Sequence, residues 1–285
     1  YYTPANNTKT LVSTTDKTVY LDGKIIPREI LRDNFNVYDK TTHAKVDAKK
    51  VYDGNDEYTP TSDVYISSNA VTGGTTGLVE RDRNHITFAL TGGKGRFAQN
   101  DGTTYSKDVK NVEKLAYEVT GQTDDATNYR LSDYYIMDGG VKKSLGSTFH
   151  ATGAGKITPK TITATKKDNL TKVYDALAAH TDGNRNPITG NDVVTLSGIV
   201  SGDTVTNNST ATYASKDVFY SGGVPAAKTV TYNVAFTTPN TEESDNYTFD
   251  TAPNTTTVTR TTTLTGLGTI TPRPVTLTFG PVTKI

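Results

Sequence analysis

Apolar and polar residues alternate one by one in short bursts along this chain. Residues 160–165 read Lys-Thr-Ile-Thr-Ala-Thr, residues 229–234 read Thr-Val-Thr-Tyr-Asn-Val, and residues 275–279 read Val-Thr-Leu-Thr-Phe. A period of two sends every second side chain to one face, so each burst predicts a strand with one buried side. Residues 111–117 would also fit a helical turn, but their counterpart at 228–232 alternates strictly, and both are assigned as strands. Turn formers separate the bursts: Asp182-Gly183-Asn184, Ser201-Gly202-Asp203, Asn207-Asn208 and Ser221-Gly222-Gly223. Many short strands divided by turns predict an all-β chain of Ig-like β-sandwich modules. A small β-grasp-like unit with one helix is the alternative.

The chain also repeats itself. Lys50-Val51-Tyr52-Asp53-Gly54 returns as Lys172-Val173-Tyr174-Asp175-Ala176, and Thr104-Tyr105-Ser106-Lys107-Asp108-Val109 returns with one insertion at 212–218. Asn128-Tyr129 returns as Asn246-Tyr247, and Gly155-Lys156-Ile157-Thr158-Pro159-Lys160 as Gly268-Thr269-Ile270-Thr271-Pro272-Arg273. The offsets scatter around roughly 110–120 residues, the size of one small domain. Two tandem modules follow, 1–157 and 158–285. A third copy of the joint, Ile25-Ile26-Pro27-Arg28-Glu29-Ile30, opens the first module. Proline removes a donor and holds the preceding residue extended, which suits a stiff connection and predicts a rod-like, monomeric arrangement. Residues 1–4 have no signal-peptide character, and residues 272–279 look like the opening of another unit, so a piece of a longer chain is expected.

These motifs resemble the YDG-type repeats, and the related MBG repeats, of large bacterial adhesins of the filamentous-haemagglutinin kind. The resemblance rests on the K-V-Y-D-G start, the T-Y-x-S-K-D-V middle, the N-Y pair and the I-T-P-K/R joint, and covers most of residues 45–275. Ala176 departs from the usual glycine. The resemblance implies secreted or surface-anchored repeats that support adhesion or biofilm formation and serve mainly as spacers. It also implies an extracellular, cell-surface location but supplies no ligand; host glycan, matrix protein or neighbouring adhesin chains are the candidate partners.

Composition narrows the chemistry. Formal net charge is zero, with 30 basic and 30 acidic residues, so bulk electrostatics point to neither nucleic acid nor an anionic membrane. No stretch approaches the roughly 18 apolar residues of a membrane span. The chain has no cysteine, which excludes disulfides and thiolate metal sites. His43, His85, His150 and His180 stand without H-E-x-x-H or G-x-S-x-G patterns, so no catalytic residues and no cofactor are assigned and the chain is not expected to be an enzyme. Gly92-Gly93-Lys94-Gly95-Arg96-Phe97 lacks the glycine spacing and the Ser/Thr of a phosphate loop.

Acidic clusters at 53–57, 124–125 and 242–245 have the hard-oxygen character that Ca²⁺ takes, but none has the spaced loop pattern, and no metal is assigned. Asn-x-Ser/Thr triplets include Asn169, Asn208 and Asn246. A Lys–Asn isopeptide cross-link in a dry core is a further option that sequence does not pair.

Two sets of residues are singled out. Tyr52, Asp53, Tyr174 and Asp175 are read as architecture, each tyrosine buried beneath a turn in its own repeat and each aspartate accepting backbone N–H groups. The second set follows from unequal length. Aligning Thr87 with Thr195 leaves about 14 extra residues in the first repeat, confined to 55–85. Tyr58, Tyr65, Arg81 and Arg83 lie there, and aromatic faces with guanidinium forks suit a glycan or host protein.

Overall fold

The computed structural model describes residues 2–4, 11–12, 19–20, 23–61, 63–68, 76–241, 243–251, 258–281 and 284. The chain is all-β. Among the described residues the only helical pieces are 3₁₀ turns of three or four residues, so the β-grasp alternative lacks its helix. The chain divides into two compact units. One comprises residues 1–50, 55–107 and 111–157; the other comprises 51–54, 108–110 and 158–285.

The first unit is organised around the strand Lys114–Thr123, whose Leu115, Tyr117 and Val119 point inward while alternate residues face out. Phe149–Ala154 and Gly95–Ala98 both pair with it antiparallel, and Ile86–Leu90 pairs with its far end. Val64–Ser68 and Phe35–Asp39 extend the sheet beyond Ile86–Leu90. Phe35, Phe88 and Phe149 meet edge to face, with centroids 4.8, 5.7 and 5.9 Å apart. Each such buried ring contributes roughly 1.5–3 kcal/mol by leaving water.

The second unit repeats this plan. Its central strand Lys228–Thr237 buries Val230, Tyr232, Val234 and Phe236. Thr261–Thr271 and Thr210–Tyr213 pair with it antiparallel, and Thr206–Asn207 pairs with its far end. Its core adds Leu170, Val193, Val194, Ala211, Tyr213 and Ile270.

The registers match. Leu115 sits opposite Gly153 and Phe97, while Val230 sits opposite Gly266 and Tyr213. Parallel pairings add to these antiparallel ladders. Tyr134 lies beside Arg28, just after Pro27, and Tyr247 lies beside Lys160, just after Pro159.

This register corrects three sequence correspondences. Tyr213 is buried and matches Phe97 rather than Tyr105, which is 44% exposed. Tyr247 matches Tyr134 rather than Tyr129, which stacks on His85. Thr87 pairs with Gln122 as Thr206 pairs with Thr237, so its counterpart is Thr206 and not Thr195. With that pairing the repeats differ little in length, 35 residues from Tyr52 to Thr87 against 32 from Tyr174 to Thr206. Short shared motifs had matched residues that the backbone ladder keeps apart.

Residues 275–279 also depart from expectation. They form no strand among the described residues, and Val275, Leu277 and Phe279 are 84%, 75% and 86% exposed. Alternation predicts a strand only where a ladder partner and a covering layer exist.

Matched glycines differ in the room they have. A Cβ on Gly153 would lie 1.7 Å from the Phe35 carbonyl oxygen, whereas one on Gly266 would meet Lys166 and Tyr232 side chains at 3.1 Å. Gly153→Ala is therefore expected to destabilise the first unit by about 3 kcal/mol or more, and Gly266→Ala to cost the second unit under about 1 kcal/mol. Urea unfolding followed by unit-resolved amide exchange checks the contrast.

Candidate functional site

The four residues proposed from sequence as ligand contacts do not converge. Tyr58 is half-buried with its ring against the edge of Phe97 at 5.8 Å. Tyr65 stacks on the buried Tyr38 at 5.7 Å, and its hydroxyl lies 3.1 Å from His43 Nδ1. Arg83 covers the other part of Tyr38 at 5.4 Å, so Tyr65 and Arg83 are brought together through that ring. Arg81 is exposed and donates from Nε to Asp82 Oδ1 at 3.0 Å. Of the surrounding stretch 55–85, residues 62 and 69–75 lie outside the described residues.

A groove of about 490 Å³ lies instead on the outer side of the first unit's central strand, lined among others by Arg32, Lys94, Arg96, Tyr105, Glu118 and His150. Arg96 lies over the Tyr105 ring at 3.9 Å and donates to Asp56 at 2.6 Å, while Lys94 pairs with Glu57 at 2.5 Å. Asp138 accepts from Lys143 at 2.7 Å and from the His150 backbone at 3.3 Å. Burial works to raise its carboxyl, but these donors outweigh it and hold it below the ordinary value. The wall mixes apolar and charged groups, with Lys94, Arg96 and Asp138 already paired, and offers hydrogen bonds to a small polar ligand.

The acidic clusters are spent in similar ways. Asp124 holds His85 Nδ1 at 3.0 Å, Asp125 holds Asn128 at 2.6 Å, and Asp245 pairs with Arg260; Glu242 lies outside the described residues. Among the described residues no three acidic or histidine side chains gather as a metal site. Asn246 is fully buried with both ends of its amide engaged, which removes it as a glycosylation acceptor in the folded protein.

The arrangement present in both units is a tyrosine locked to a turn. Gly77-Leu78-Val79-Glu80-Arg81-Asp82 in the first unit matches Gly198-Ile199-Val200-Ser201-Gly202-Asp203 in the second. Gly77 and Gly198 have φ of +83° and +93°, a conformation that favours glycine. Each turn closes from the aspartate N–H to the valine carbonyl, at 2.9 Å and 3.1 Å. The Tyr134 hydroxyl then donates to Asp82 Oδ2 at 2.6 Å and accepts from the Val79 N–H at 3.2 Å. The Tyr247 hydroxyl does the same with Asp203 Oδ2 at 2.6 Å and the Val200 N–H at 2.9 Å. Burial first, then the adjacent carboxylate, pushes both phenols well above the usual tyrosine value. The G-[L/I]-V-x-x-D pattern recurs at an offset of 203−82=121 residues, nearly that of the two Val-Tyr-Asp motifs, and was legible in the sequence; its common residues carry no chemistry that sets them apart.

In the second unit the same carboxylate takes another donor. Tyr52 donates to Asp203 Oδ2 at 2.7 Å, and its ring meets Tyr247 edge-on at 5.5 Å. Its backbone N–H donates to the Thr158 carbonyl at 2.9 Å. Beside it, Asn246 accepts from the Val109 N–H at 2.8 Å and donates to Asp108 at 2.7 Å. Tyr52 is thus buried, but in the second unit rather than under a turn of its own repeat; its hydroxyl finds its acceptor there. Asp53 is exposed.

The second copy of the motif is built differently. Tyr174 is half-buried against the second unit's core. Asp175 is buried, accepting from Lys172 at 2.6 Å, from the Leu177 N–H at 2.9 Å and from Thr181. Lys172 is likewise buried and donates to the Leu177 and Ala179 carbonyls and to Thr181. This ammonium is saturated with acceptors, and no asparagine is among these partners, so they do not assemble the cross-link considered from sequence.

Two expectations follow. Tyr52→Phe and Tyr247→Phe should each weaken the second unit by about 1.5–3 kcal/mol, the usual loss for a hydrogen bond to a charged group. Tyr52→Phe should leave amide exchange in the first unit's core unchanged, although the residue belongs to the first repeat. Asp175 supplies the pH test. Burial opposes its ionisation, but Lys172, Thr181 and Leu177 hold its carboxyl at about 2, against an ordinary 3.8. A depressed carboxylate contributes stability above its unfolded pKa and loses it as pH falls through the folded value. The second unit's urea midpoint should therefore drop between about pH 4 and pH 2, and Lys172→Met should narrow that drop.

No family model matches the chain, and no curated protein or solved structure is significantly similar to it.

Proposed function

We propose that this chain is a tandem pair of Ig-like sandwich modules from the stalk of a secreted or surface-anchored bacterial adhesin of the YDG-repeat type. In this reading it acts as a spacer that supports cell adhesion or biofilm formation, not as an enzyme. One observation carries the proposal: the tyrosine–aspartate–valine lock occurs once in each unit, at the same place in the same register. What the repeats share is turn and core, as expected of modules selected to fold in series. Among the described residues no helix is long and apolar enough to cross a membrane.

A second reading, binding of host glycan or matrix protein, is favoured by the groove beside Arg96 and Tyr105. It rests on that groove rather than on Tyr58, Tyr65, Arg81 and Arg83 together.

Probing arrays of glycans and of matrix proteins with the purified chain separates the two. The spacer reading expects no retention above background. Retention that Arg96→Ala or Tyr105→Ala abolishes, with folding intact, would replace it with the binding reading. The chain grafted into the stalk of a heterologous adhesin should preserve adherence when it substitutes for a spacer of equal length.

A further inference from the structure

Two motifs of the first repeat, V-Y-D-G and S-K-D-V, supply groups that complete the second unit. Tyr52 gives its hydroxyl to Asp203, and Asp108 and Val109 engage both ends of the Asn246 amide. The second repeat carries the same motifs, at 173–176 and 215–218. The backbone of Tyr174 is set as that of Tyr52 is, although its ring is only half-buried: its N–H donates to the Thr271 carbonyl at 2.8 Å, just before Pro272, as that of Tyr52 donates to Thr158, just before Pro159. Ala176 holds a φ of +67° where Gly54 has +86°. Among the described residues, however, the Tyr174 hydroxyl and the Val218 N–H have no hydrogen-bond partner. Large apolar side chains that follow the second of these segments and Thr271 are exposed: Phe219, Tyr220 and Val224, then Val275, Leu277 and Phe279.

We propose that Tyr174 and Asp217–Val218 supply two donors, the Tyr174 hydroxyl and the Val218 N–H, and one acceptor, the Asp217 carboxylate, to the core of a further β module joined at Thr271. That module presents a turn of the G-[L/I]-x-x-x-D kind and an Asn-Tyr pair, in the places where the second unit has them. Its turn aspartate receives the Tyr174 hydroxyl, and its asparagine receives the Val218 N–H. The exposed strand-like residues 275–279 become its first covered segment. Ala176 adds a condition. A Cβ on Gly54 would lie 2.8 Å from Val200 Cγ1, so the partner turn facing Ala176 carries a residue smaller than valine at that position. The inference rests on the internal repeat alone and stands or falls independently of any adhesin role.

The test replaces residues 272–285 of the chain, carrying Ala176→Gly, with a second copy of residues 159–285 placed directly after Thr271. Val218 amide exchange should slow tenfold or more in the extended protein relative to the parent chain, as one added hydrogen bond requires. Tyr174→Phe should lower the added copy's unfolding midpoint as Tyr52→Phe lowers the second unit's, and should leave the parent chain unchanged. An added copy that stays unfolded, Val218 exchange equal in both proteins, or a Tyr174→Phe effect equal in both would overturn the proposal. Without Ala176→Gly the added copy should fold less stably, and Val→Ala at its counterpart of Val200 should restore it; equal stability of all three would remove the size condition.

Discussion

A carboxylate partly withdrawn from water needs donors, and Asp203 finds two phenols. Tyr52 and Tyr247 both give their hydroxyls to Oδ2, while the Val200 N–H turns back onto the Tyr247 oxygen. Charge-assisted bonds of this kind are about twice as strong as neutral ones, and losing one leaves a part-buried acceptor short of a donor. The turn geometry, the glycine before it and the parallel pairing after Pro159 all serve to bring these groups together. Asp82 repeats the bond with Tyr134 in the first unit through Oδ2, and Arg81 occupies its Oδ1.

Much of the fold was legible in the sequence. Alternation at 229–234 found the central strand of the second unit, and comparison of the copies assigned 111–117 as a strand despite a helix-compatible spacing; the strand itself runs Lys114–Thr123. Ser221-Gly222-Gly223 lies at the turn of a hairpin, with Gly222 and Gly223 at φ of +59° and +80°. What escaped was register. T-Y-S-K-D and N-Y are short strings of common residues, and matching them aligned Tyr105 with Tyr213 and Tyr129 with Tyr247. Burial separates these pairs, but burial depends on which strand lies opposite, and that is set by contacts far apart in the chain.

The candidate site was less legible for a related reason. Aromatic and arginine residues close in sequence suggested one surface, yet Tyr58 leans on Phe97, Tyr65 on Tyr38, and Arg81 on Asp82. Once strands form, neighbours along the chain alternate between faces, so proximity in sequence says little about convergence. Conversely, the groove gathers Arg32, Arg96, Tyr105 and His150 from segments that no local motif connects. Asp175 was correctly seen as a turn acceptor, but its partner Lys172 was not, because burial of a lysine is not written in its immediate neighbours.

The composition of the second unit bears on where this protein can be cut. Its sequence repeat begins near Pro159, yet its folded body includes 51–54 and 108–110. A recombinant fragment beginning at Pro159 would contain every residue of the repeat and still be chemically incomplete. Asp203 would keep one phenol of two, and the fully buried Asn246 would lose the backbone N–H and the carboxylate that satisfy its amide. The genetic module and the folding module are therefore offset, and expression boundaries drawn from sequence periodicity alone would sever the second from its own core.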